Sequence, residues 1–125
     1  MSDLVGTCPK DFWEEWIAEG DAAGTPATGM QYNWGTASPL AGKMCEGDRF
    51  YVVAHGKLRG YALVTQVLVY PWQDAGEVNR KSYAIVRAGG AVACTIPEHI
   101  PGFRGLRLRW WKREEEVPFP DWKRP

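Results

Sequence analysis

No stretch of this sequence approaches the roughly 20 consecutive apolar residues that a membrane-spanning helix needs. Net charge is missing as well: 15 Lys and Arg balance 15 Asp and Glu. That argues against a protein that coats nucleic acid by bulk charge, although a local basic face remains open. Cysteine is scarce. Cys8, Cys45 and Cys94 are widely spaced with no C-x-x-C pair, so the expectation is ordinary thiols in a reducing cytosol, not a zinc site with His55 and His99. The opening MSDLVGTCPKD has no basic start followed by an apolar run, which predicts no signal peptide and a cytoplasmic protein. G-x-S-x-G, H-E-x-x-H, a P-loop and a dinucleotide fingerprint are all absent. No catalytic set, metal or cofactor is therefore expected from motifs.

What is abundant is tryptophan, with seven in 125 residues. Few small cores hold that many indoles with every N–H satisfied, so some are expected on a cleft or a partner surface. The length suits one domain spanning residues 1–125.

Along the chain, DLVGTC (3–8) reads as a first strand. PKDFWEEWIAEGD follows, with Phe12, Trp13, Trp16 and Ile17 at helical spacing and Gly20 as a stop. Asp11 and Glu14 resemble a capping box. These aromatics are expected to pack the helix on a sheet. Residues 22–43 are rich in Gly, Pro, Ala, Ser and Thr and read as a long loop that contains QYNWG. GDRFYVVAHGKLRGYALV (47–64) reads as a hairpin. Residues 69–81 read as a polar loop, with Pro71 ending the strand. SYAIVRAGGAVACTI (82–96) gives two strands around Gly89 and Gly90, and LRLRWW (106–111) gives the last clear strand. One early helix followed by many short strands predicts an α+β fold: a small, mixed, barrel-like sheet of about five to seven strands with the helix against one side.

Three features can carry chemistry. In LRLRWW, alternation places Arg107, Arg109 and Trp111 on one face. That face suits phosphates and a stacked base, or serves as a charged edge strand that resists aggregation. In the hairpin, Lys57 and Arg59 sit beside a Gly-containing turn, which fits an anionic group or a plain polar turn. In QYNWG, an aromatic stands on each side of Asn33, whose amide can read a base edge. The same residues would also serve a loop anchored by two buried rings.

LVGTCPKDFWEEWIAEGD, YNWG and GDRFYVVAHGKLRGYALV, taken in order, resemble the PUA-like superfamily. The resemblance covers roughly the first 70 residues. EVE domains are the most similar, with ASCH domains as a second relative. It implies a PUA-like pseudobarrel that binds RNA or DNA and, as in EVE domains, holds a modified base in a pocket. Carried over by position, that pocket involves Tyr32, Asn33 and Trp34, with Tyr61 as a wall. The hairpin would border the ligand groove. Lys57 and Arg59 would then meet a phosphate backbone, and Gly56 and Gly60 would allow close approach. ASCH domains often carry a G-x-K-x-x-E-x-R-like element. GKMCEGDR departs from it in spacing at both ends; in an ASCH-like enzyme Lys43 and Glu46 would be the catalytic candidates.

The leading reading is therefore a nucleic-acid-binding module with no membrane association. An ASCH-like hydrolase acting on a nucleoside or RNA, and a Trp-rich protein-interaction domain, are the alternatives.

Overall fold

Residues 49–54 form the run RFYVVA, apolar on both faces after Arg49. A strand of this kind is stable only where both faces of its sheet are covered, and β3 (Arg49–Ala54) lies in the middle of the fold. The computed structural model describes residues 2–21, 31–71, 81–88 and 91–125. The side chains of 19–21, 31, 32, 71, 81 and 88 lie outside that description. In chain order the elements are β1 (Leu4–Thr7), α1 (Trp13–Asp21), β2 (Gln31–Thr36), β3, β4 (Lys57–Pro71), β5 (Lys81–Ala88), β6 (Val92–Thr95), β7 (Leu106–Leu108) and β8 (Val117–Pro118). The strand path is β2-β5-β4-β3-β1-β7, with β6 pairing both β4 and β8. β1 and β3 are parallel, and the other pairs are antiparallel. The result is a small mixed sheet curled into a half-barrel beside one short helix.

The curl originates in β4. Its first half pairs with β3 and its second half with β5, with a register shift in each ladder. Such bulges bend a strand and let one sheet turn into the next. In the first shift Val52 pairs with Gly60 and Val53 with Leu58, leaving Arg59 as the extra residue.

Alternation along β1 and β3 divides the interior in two. Leu4, Phe50 and Val52 join Trp13, Trp16 and Ile85 in one core, under α1. Val5, Tyr51 and Val53 join Leu58, Ile100 and Trp111 in the other. Trp13 and Trp16 pack inward, 7% and 4% exposed, as the helical spacing predicted, and Phe12 stays outside at 53%. Asp11 lies inside a short 3-10 turn (Lys10–Phe12) that leads into α1, and the cap position of that turn is Pro9, with no side-chain cap bond. The helix therefore starts without the expected capping box at Asp11.

Three other expectations change. QYNWG belongs to edge strand β2, not to a loop, because Gln31–Thr36 pairs residue for residue with β5. β7 ends at Leu108, so the alternation in LRLRWW does not extend to Trp110 and Trp111. Among the described residues there are eight strands, the eighth only two residues long. Of the expected loops, 37–43 holds a short 3-10 turn (Pro39–Lys43), 69–71 belongs to β4 and Lys81 to β5; 22–30, 72–80 and the Gly89–Gly90 turn lie outside the described residues.

Asp3 ties the start of β1 to the start of β3 and to the segment after β7. Its carboxylate accepts from the Arg49 backbone N–H (2.9 Å), from Arg109 Nε (3.1 Å) and from Arg113 (2.8 Å). Burial pulls its pKa upward, but the Arg49 N–H and the two guanidinium groups outweigh it, and the pKa falls below the ordinary 3.8. A carboxylate with a lowered folded pKa adds stability above its unfolded pKa and loses it as pH falls through the folded value. Asp3→Asn should accordingly melt below wild type at neutral pH. The gap should close as the pH is taken below about 4. A constant gap across that range would show that Asp3 acts through shape and not charge.

Candidate ligand-binding cleft

Between α1 and the edge strand β2 the half-barrel does not close. The gap is a cleft of about 370 Å³, within the range of small-molecule sites. One wall is β2, through Asn33 and Trp34, and the opposite wall is Trp16 and Phe12 beside α1. Arg87 of β5 and Cys8 at the end of β1 also line it.

Each side chain is placed by its element. Trp34 is half-buried, with its ring 4.9 Å from Phe50 in the core beneath. Arg87 is 5% exposed and sits over the Trp34 ring, 5.6 Å from its centroid. Trp16 is stacked at 5.5 Å on Trp13 and met edge-on at 5.1 Å by Trp122 from the C-terminal segment, so its orientation is held from two sides. The Cys8 thiol donates weakly to the Pro9 carbonyl at 3.5 Å. Asn33 is exposed at the mouth, and Glu15 of α1 also lines the cleft. The cleft therefore combines aromatic walls with a guanidinium, a carboxylate and an amide. This set suits a planar ring that carries both donors and acceptors on its edge.

The sequence-derived candidates divide into two groups. Asn33 and Trp34 are brought together at the cleft. The Tyr32 side chain lies outside the described residues; its backbone pairs with Arg87. Tyr61 is not a wall of this cleft. It packs on the other side of the sheet, 5.3 Å from Tyr51 and under Arg49 at 4.2 Å. Lys43 and Glu46 are exposed and do not line the cleft either.

The hairpin is occupied by the chain itself. Arg59, expected beside a phosphate, is 2% exposed. It donates to Ala54 O (2.8 Å), to Trp122 O (3.4 Å) and to Arg124 O. A Cβ on Gly56 would stand 2.4 Å from the His99 ring, and one on Gly60 would stand 2.4 Å from Val92 O. The close approach expected of a ligand at these glycines is thus made by His99 and by β6. Lys57 remains exposed, 5.8 Å from the Phe119 ring.

On the last strand the expected face is also rearranged. Arg107 is exposed, over the Phe103 ring at 4.2 Å. Arg109 is paired with Asp3 at 3.1 Å. Trp111 is buried at 5% and donates to Glu116 at 2.9 Å, so it offers no open face for stacking; the exposed indole is Trp110. Cys8 and Cys94 lie in separate cores and Cys45 is exposed. Burial and the Glu116 carboxylate push the Cys94 thiol up to about 12, which keeps it neutral.

Sequence reasoning missed Arg87, Trp16 and Cys8 as cleft residues. A signal for the first existed: Arg87 is the one charged residue in the otherwise apolar run AIVRA. No family model, curated protein or solved structure matches the chain.

No helix among the described residues is long and apolar enough to cross a membrane.

Proposed function

We propose that this chain is a PUA-like, EVE-type module that binds RNA or DNA and holds one base, a modified one by the resemblance, in the cleft between β2 and α1. The observation that carries the reading is the meeting of Asn33 and Trp34 with Trp16 and Arg87 around one cleft. Asn33 and Trp34 were singled out from sequence; the cleft between them and α1 was not. The curled mixed sheet supports the PUA-like resemblance. The enzyme reading is weaker, because Lys43 and Glu46 do not line the cleft.

In this arrangement Trp34 supplies the stacking face. Asn33 and Arg87 read the base edge, since an amide both donates and accepts whereas a guanidinium only donates. Asn33→Ala should lower affinity for the preferred nucleoside by about tenfold, the scale of one lost base-edge contact. Its melting temperature should stay near wild type, because Asn33 is exposed. Trp34→Ala should lose binding and stability together, because its ring also rests on Phe50. Calorimetric titration of a panel of standard and modified nucleosides, with melts of both variants, checks this. Equal affinity of wild type and Asn33→Ala for every nucleoside would remove the cleft as a base site.

A further inference from the structure

We infer that a second binding surface continues from the cleft along residues 103–112, and that it carries the single-stranded nucleotides flanking the held base. The inference rests on the nucleic-acid reading above and specifies the partner as a single strand, not a duplex. Three observations support it.

The first is continuity. Thr7 lines the cleft, and its hydroxyl accepts the Phe103 backbone N–H at 3.1 Å. The Phe103 ring carries Arg107 at 4.2 Å and lies 6.3 Å from the Trp110 ring. Thr7, at the end of β1, thus joins the rim of the cleft to a strip of aromatic and cationic side chains that begins at Phe103 on the opposite side of the sheet. The second is the state of Trp110. It is 42% exposed, yet its N–H is bonded to Glu98 at 3.0 Å and its ring meets Trp111 at 5.0 Å. An exposed indole held in one orientation is a platform on which a base can stack with little further ordering cost.

The third is charge. Residues 103–113, FRGLRLRWWKR, hold five cations and no acid in a chain of zero net charge. Asp3 takes Arg109 and Arg113. Arg104, Arg107 and Lys112 are exposed along the same stretch. Exposed cations on either side of the one exposed ring of this stretch, Trp110, match the phosphates and a stacked base of an extended strand. In a duplex the bases are stacked on one another and cannot lie on Trp110.

The test uses fluorescently labelled single strands of about twelve nucleotides, as homopolymers of DNA and RNA, within the length range such grooves hold. Binding is measured by anisotropy across a salt series. Trp110→Ala should weaken single-strand binding about tenfold. Arg107→Gln with Lys112→Gln should flatten the salt slope by about 1.4, close to 0.7 for each lost phosphate contact. The matching duplex should bind wild type more weakly than the single strand. If these variants bind as wild type while Asn33→Ala weakens binding, the strip is overturned and the cleft reading stands. If the strip variants weaken binding and Asn33→Ala does not, the strip stands and the cleft reading falls. A wild-type protein that binds no strand at about 50 mM salt overturns both and leaves the exposed rings to a protein partner.

Discussion

Glu116→Ala is expected to lower the unfolding free energy by about 3 kcal/mol, because two buried donors lose their acceptor at about 1–3 kcal/mol each. The Glu116 side chain is only 8% exposed and is the acceptor for three N–H and O–H donors: Tyr51 Oη at 2.6 Å, Trp111 Nε1 at 2.9 Å and Arg49 at 3.1 Å, with the Cys94 thiol of β6 as a fourth, weak donor at 3.8 Å. The first three come from β3 and from the segment after β7, so one carboxylate ties the C-terminal segment to the central strand. Truncation leaves a buried hydroxyl and a buried indole N–H without their acceptor, and Arg49 without its counter-charge. Glu116→Gln should fall between wild type and Ala, because the amide oxygen can still accept one or two of the bonds but carries no charge. Urea unfolding of the three proteins measures the order. An Ala variant within about 1 kcal/mol of wild type would show that water replaces the carboxylate at little cost.

The second large effect is expected at Arg59. Arg59→Met should cost about 3 kcal/mol and free the chain after Phe119 for proteolysis. The guanidinium is enclosed by the Trp13 ring at 5.2 Å and the Phe119 ring at 5.3 Å, and it donates to carbonyls of β3 and of the C-terminal segment. Burial pulls its pKa down from the ordinary 12.5, but a guanidinium remains charged at any physiological pH. Methionine fills much of the volume and supplies none of the donors, so the buried Ala54 carbonyl loses its guanidinium partner. Arg59→Lys should rescue only part of the loss, because one ammonium cannot reproduce the planar fork. Because Trp122 meets Trp16 edge-on at 5.1 Å, loosening this segment should also loosen one wall of the cleft. Thermal melts and limited trypsin digestion check both parts. A Met variant with unchanged melting and an intact C-terminal segment would contradict the clasp.

Arg59 also illustrates where a sequence stops being informative. Lys57 and Arg59 stand beside a Gly-containing turn, and that pairing suggested an anionic ligand. The extra residue in the β3–β4 ladder is Arg59 itself, and a bulge re-aims the side chain it adds. Nothing local in HGKLRG announces the bulge; it depends on β6 crossing at Gly60. The same holds for Trp110 and Trp111, whose exposures depend on the strand ending at Leu108. β2 was hidden for a related reason. Its partner, β5, is about 50 residues away along the chain, and a lone edge strand with Asn and Gly has weak strand propensity of its own. What was legible was local and periodic: the inward face of α1, the β3–β4 hairpin turning at His55 and Gly56, and the strands on either side of Gly89 and Gly90. At the cleft, the pair Asn33 and Trp34 was legible because an amide beside an indole is chemically distinctive. Arg87 and Trp16 joined them only through long-range pairing and packing.

Electron density in a crystal soaked with a mixture of nucleosides tests the base-binding claim most directly. The expected result is one planar ring against Trp34, with its edge toward Asn33 and Arg87. A cleft that stays empty at saturating nucleoside would contradict the claim.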